Sequence, residues 1–284
     1  MPGRLDSFFP MHLAHSFLTP PCTIPLDAPG RARYPFPRHT GNHRMKTLGL
    51  IGGMSWESTA IYYRHLNEMV RERLGGLHSA KLLLWSFDFD EVAQRQHAGD
   101  WDGAAALMAD AARRLRDGGA QGLVICTNTM HLVADPVARA AGVPLIDIIA
   151  ETGKALTTAG RRRPLLLATR YTMEHGFYAE RMRAASGIEV IVPEAQDRTA
   201  VHAVIFEELC RGIVSDASRE RLFEIIDRGI AAGADSVILG CTEICLILDP
   251  DRLALPGFDS TAIHARAAVE FALRDEGAGL LSAA

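Results

Sequence analysis

The stretch Gly119-Ala-Gln-Gly-Leu-Val-Ile-Cys-Thr-Asn128 lies without a gap over Gly233-Ala-Asp-Ser-Val-Ile-Leu-Gly-Cys-Thr242. In each, a Gly-Ala turn gives way to a short apolar run and then to a polar tip. A continuous apolar run of this length, bounded by turn signals, fits a strand buried on both faces of a parallel sheet. The repeat therefore predicts two related half-molecules. Each has such a strand and presents its polar tip at the strand's carboxyl end, where open α/β sheets place their ligands.

Working outward, residues 47–51 read as a buried strand. The Gly52-Gly-Met-Ser55 turn after it leads into an amphipathic helix over 56–73, with Ser55 as its N-cap and Glu57 in its first turn. Further strands are predicted at 81–87, 122–126, 164–168, 188–192 and 236–240, and helices at 101–117, 200–212, 217–232 and 261–274. Strands alternating with helices imply βαβ units and parallel sheets. A looser correspondence sets Leu48-Gly-Leu-Ile-Gly-Gly-Met-Ser55 against Leu165-Leu-Leu-Ala-Thr-Arg-Tyr-Thr172.

The register of the repeat carries chemistry. It pairs Cys241 with Thr127, while Cys126 falls opposite Gly240, one position back and on the other face of its strand.

Composition narrows the function classes. The chain has 284 residues, 48% hydrophobic and 23% charged, with a formal net charge of −4. That is ordinary globular usage, with no basic stripe for nucleic acid and no polybasic cluster for a membrane surface. No apolar run approaches the roughly 20 residues needed to span a bilayer. The cysteines, Cys22, Cys126, Cys210, Cys241 and Cys245, are odd in number and lack framework spacing, which fits a reducing cytoplasm. Cys241 and Cys245 lack partners at a zinc-site spacing, so no metal is expected. Gly49, Gly52 and Gly53 do not make the dinucleotide fingerprint. Residues 1–44, rich in Pro, His and Arg, read as a disordered extension that is neither signal nor transit peptide, with Met45 as the natural start.

Three motifs together resemble the aspartate/glutamate racemase family. They are Gly49-Leu-Ile-Gly-Gly-Met-Ser-Trp56 with Tyr62, Tyr63 and Asn67, then Thr127-Asn-Thr-Met-His131, and Gly240-Cys-Thr-Glu-Ile244. The resemblance runs from about residue 46 to 275. It implies two similar Rossmann-like (flavodoxin-like) parallel-sheet α/β domains related by pseudo-twofold symmetry, with the active site in the cleft between them. The domains expected are 45–150 plus 258–280, and 151–257. The implied activity is cofactor-independent racemisation of aspartate or glutamate in the cytoplasm, by a homodimer whose interface includes the 56–73 helix. Members of the family use two cysteines on opposite faces of the α-carbon. Here Thr127 stands at the first position, which makes the chemistry lopsided, because a hydroxyl is a far weaker acid and poorer base than a thiol.

Without a cofactor, racemisation needs a base on one face, an acid on the other and groups that stabilise a carbanion. Cys241 is the expected catalytic residue of the second tip, in a turn whose N–H groups suit a thiolate. Thr127 is expected on the first tip, with Cys126 as its rival and a backbone-bonded turn threonine as the plainer reading. Met54, Ser55, Asn128, Thr129, Thr169, Thr242 and Glu243 are the expected substrate-binding residues, the first two as an anion site at a helix N-terminus. In Gln94-Arg-Gln-His97, Gln96 and a bidentate Arg95 suit a distal carboxylate, and a solvated loop is the alternative. His131 reads as an orienting residue or a structural one. A lysine common in relatives is replaced by Cys210 and Arg211, which leaves specificity open. A different small dicarboxylate, isomerised or decarboxylated, and a non-catalytic acid-binding protein are the competing functions.

Overall fold

A computed structural model describes residues 45–274; the extension expected over 1–44 and residues 275–280 of the first expected domain lie outside them. In chain order come β1 (Leu48–Gly52), α1 (Trp56–Leu74), β2 (Leu82–Ser86), α2 (Phe89–Ala98), α3 (Trp101–Asp117), β3 (Gly122–Ile125), α4 (Ala134–Ala141), β4 (Leu145–Ile146) and α5 (Ile148–Thr158). Then follow β5 (Pro164–Leu167), α6 (Arg170–Glu174), α7 (Phe177–Ser186), α8 (Ala195–Ala203), α9 (Asp216–Ala231), β6 (Ser236–Leu239), β7 (Gly257–Asp259) and α10 (Ser260–Leu273).

Two parallel sheets result, ordered β2-β1-β3-β4 and β5-β6-β7. Ile191 bridges Leu165 on the free side of β5, so the second sheet repeats the order of the first with a vestigial edge. The strand expected over 188–192 is reduced to that bridge, because Pro193 has no N–H with which to extend the ladder.

Backbone hydrogen bonds reproduce the repeat residue for residue. Ala120 N–H reaches Leu115 O and Ala234 N–H reaches Gly229 O; Gln121 N–H reaches Thr47 O and Asp235 N–H reaches Arg163 O. At the carboxyl ends, Cys126 N–H donates to Ile51 O and Gly240 N–H donates to Leu167 O. These bonds also correct the looser overlay. They set Thr47 against Arg163, so Leu48 corresponds to Pro164 and not to Leu165. Runs of leucine carry no mark of register, and one residue of slip inverts every side chain.

β3 and β6 are buried along their whole length, as covered parallel strands must be. The helix that follows each sheet's last strand crosses to the other half. On α5, Ile148, Ile149 and Leu156 lie in the core with Leu165, Leu167 and Met182. On α10, Ala265, Ala268, Val269, Ala272 and Leu273 lie in the core with Leu48, Leu50, Tyr62 and Leu66. Equivalent aspartates cap the two helices. Asp147 accepts from the N–H groups of Ile149 and Ala150, and Asp259 from those of Thr261 and Ala262. His264 of α10 donates from Nε2 to Ile146 O at 2.8 Å and accepts at Nδ1 from the Tyr62 hydroxyl at 2.9 Å, pinning α10 to the first half. Among the described residues, no helix is long and apolar enough to cross a membrane.

The helix expected over 200–212 is broken. After α8 the chain widens into a π turn over Val204–Glu208, tightens over Leu209–Arg211 and stops at Gly212 in the left-handed region. Such a bulge changes which way the following side chains point, and here it lies beside a pocket.

Candidate active site

The tips of β3 and β6 face one pocket between the two sheets, closed by the β1–α1 turn, α2 and the π turn. The β1–α1 turn is possible because Gly53, at φ +82°, lies so close to the backbone of Phe87 that a side chain would not fit. Ser55 caps α1, accepting from Ser58 N–H at 3.2 Å, and its hydroxyl donates to Glu243 Oε1 at 2.8 Å. The Glu243 carboxylate therefore lies beside the helix N-terminus at which a substrate anion is expected.

Glu243 organises the second tip. Its Oε2 accepts from the Cys241 thiol at 2.9 Å and from the Thr242 hydroxyl at 2.6 Å, so three donors converge on a carboxylate that is 4% exposed. Burial and then the Glu243 carboxylate push the Cys241 thiol well above its ordinary pKa; the Glu243 N–H acts the other way and is outweighed. The thiolate expected in a turn of N–H groups is therefore corrected: at rest Cys241 is a thiol with a proton acceptor already bonded to it.

Thr127, at the tip of β3, lines the same pocket. Its carbonyl accepts from His131 Nδ1 at 2.8 Å, and His131 Nε2 accepts from Ile148 N–H at 3.2 Å, which fixes the ring as one neutral tautomer. Arg181 of α7 donates to His131 O at 2.8 Å and to Asp147 at 2.7 Å, tying this tip to the second half. Asn128 Nδ2 donates to Ser260 Oγ at 3.1 Å. The hydroxyls of Thr129, Thr169 and Thr172 form a closed triangle with sides of 3.0–3.1 Å, joining the β3 tip to the start of α6.

A match to the family described as Asp/Glu/hydantoin racemase spans residues 51–268. The chain belongs to that family. A provisionally named Asp/Glu racemase of Yersinia pestis is 50% identical over 81% of this chain and all of its own, with a TM-score of 0.77. A Pyrococcus horikoshii structure named as an aspartate racemase homologue is 33% identical, again over 81% of this chain and all of its own, with a TM-score of 0.72. A broad-specificity amino-acid racemase of Bacillus subtilis is 23% identical over 78% of this chain and 96% of its own length. The two-domain α/β fold is the one these racemase structures share, and family membership supports racemase activity.

Cys241, Thr127, Met54, Ser55, Gln96, Asn128, Thr129, Thr169, Thr242 and Glu243 all line the pocket. Cys126 does not. It is 1% exposed in the core beside Leu48 and Tyr62, and burial raises its thiol pKa, so the rival for the first face is excluded by the strand's alternation. Gln94 to His97 form the last turns of a helix, not a loop. Gln96 faces the pocket, but Arg95 donates to Glu91 O of its own helix at 2.7 Å and lies outside it. Sequence reasoning did not single out Ser58, Phe89, Ile205 or Phe206 as site residues. The π turn that brings the last two inward leaves no periodic signal. Cys210 also lines the pocket, its pKa raised to about 12 by burial, then by Glu243 and Glu57.

Proposed function

We propose that this protein is a cofactor-independent racemase of a free α-amino acid, working with Cys241 on one face of the α-carbon and Thr127 on the other. The observation that carries the reading is the equivalence of these two residues at the tips of β3 and β6, on one pocket. Glu243 takes the thiol proton along the 2.9 Å bond as the substrate's ammonium group arrives to balance the charge. The thiolate then removes the α-proton, the Thr127 hydroxyl returns a proton to the other face, and the alkoxide so formed takes a proton from solvent as Glu243 gives its own up, which restores the resting site. Asn128, Thr129 and Thr169 supply neutral donors for the α-carboxylate. When the other enantiomer is the substrate the same alkoxide is the base, so the two directions run the same two proton transfers in opposite order.

The name of the Bacillus subtilis relative supports an α-amino acid as substrate without fixing its side chain. Aspartate and glutamate, implied by the resemblance, belong in the first panel beside their amides. The test is α-deuterium incorporation from D2O together with the enantiomer ratio, without added cofactor. Exchange with inversion, abolished in Cys241→Ala, is expected. Tight binding of amino acids without exchange would favour a binding protein, and turnover that needs no α-amino group would favour an isomerase of another acid.

A further inference from the structure

We infer that the substrate's side chain is uncharged, an inference that rests on the racemase reading above. None of the residues lining the pocket is Lys, Arg or His, and the charged one among them is Glu243. A second carboxylate would enter beside that fixed acid with no cation to balance it. Burying an unpaired charge is costly, and a like charge nearby adds to the cost.

The arginines that flank lining residues in sequence lie outside the lining, and Arg211, next to Cys210, is exposed. Arg95 is bonded to the Glu91 carbonyl, the Arg170 guanidinium lies over the Tyr171 ring, and Arg198 bonds Glu174 and the Pro193 carbonyl. The wall remaining for a side chain consists of Met54, Phe89, Gln96, Ile205, Phe206 and Cys210, apolar apart from one amide and one thiol. The amide of Gln96 meets only the Met130 sulfur, a weak acceptor, at 3.1 Å. It is free to turn towards a hydroxyl, amide or thioether. The chemistry of the wall fits a neutral side chain of moderate length.

Isosteric pairs isolate the charge. The experiment compares kcat/KM for glutamine against glutamate and for asparagine against aspartate, with racemisation followed by α-deuterium exchange. The neutral member of each pair is expected to be favoured about 10- to 100-fold, the factor set by one unbalanced charge at a partly screened site. A preference for the acid in both pairs would overturn this inference and leave the racemase reading standing. Absence of exchange with all four, and with methionine and alanine, would overturn both.

Cys210→Lys supplies the missing cation, with folding checked by its melting curve. It is expected to move the glutamate-to-glutamine ratio towards the acid by about 10- to 100-fold, the worth of one charge-assisted hydrogen bond. A folded Cys210→Lys enzyme with an unchanged ratio would remove the π-turn wall from side-chain recognition and overturn the inference.

Discussion

Replacing Glu243 by Gln separates two roles that the structure assigns to one carboxylate. Glu243 accepts from Ser55, Thr242 and Cys241 in charge-assisted bonds, the first two buried and the third part-buried. A hydrogen bond to a charged group contributes about 1.5–3 kcal/mol and a neutral one about 0.5–1.5 kcal/mol. The isosteric amide keeps an oxygen on one side and turns an NH2 towards the other, where a hydroxyl can rotate to accept. The expected loss is therefore about 2–3 kcal/mol, or roughly 5–10 °C in Tm for a chain of this size. Its effects on Cys241 have opposite signs. With the negative charge gone, the thiol ionises more readily, so iodoacetamide modifies the Cys241 peptide at lower pH than in the wild type, as read by mass spectrometry. Racemisation nevertheless falls, by about 10²- to 10⁴-fold, because the group that accepts the thiol proton is lost. An alkylation profile that stays in place or moves to higher pH would refute the electrostatic account of Cys241. Unchanged turnover would refute the role of Glu243 as proton acceptor.

Thr127→Val should abolish inversion while leaving one enantiomer able to exchange its α-proton through Cys241 alone, and Thr127→Ser should retain inversion; chiral chromatography after incubation in D2O distinguishes the two. Burial works against ionisation of Asp147, but the N–H groups of Ala150 and Ile149 and the Arg181 guanidinium outweigh it and hold its carboxyl below the usual range. A carboxyl held low stabilises the fold at neutral pH, and that contribution disappears as pH falls through its folded value. Asp147→Asn should therefore cost about 1–3 kcal/mol at pH 7, with urea midpoints of variant and wild type converging below about pH 4. Gly122→Ala would drive a methyl into the Phe271 ring of α10, and the overpacking should cost about 1–3 kcal/mol by urea denaturation.

The central strands were legible because burial on both faces forces an unbroken apolar run, and Gly119 and Gly233, both at positive φ, mark where each run begins. The same register placed Thr127 and Cys241 at the strand tips and left Cys126 as a rival, which only its burial in the core removes. β4 and β7 were missed because strands of two and three residues show no period. α2 was read in part as a loop because few apolar residues mark its buried side, Val92 and Gln96 being its buried positions. The charge state of Cys241 was not legible either. Glu243 stands two residues along the chain, and whether it faces the sulfur depends on how the short helix Glu243–Leu246 turns and on the hydroxyl that Ser55 brings from the other half.

The crossing of α5 and α10 sets a schedule for the chain as it leaves the ribosome. The strands of the first sheet emerge with their α10 side uncovered, and the helix that covers it follows the last of them by roughly a hundred residues. At synthesis rates of about 5–20 residues per second, that face waits on the order of 5–20 s for its cover. Leu48, Leu50 and Tyr62 are apolar or aromatic surface throughout that interval, and nascent chains stalled before α10 should be the species that chaperones hold.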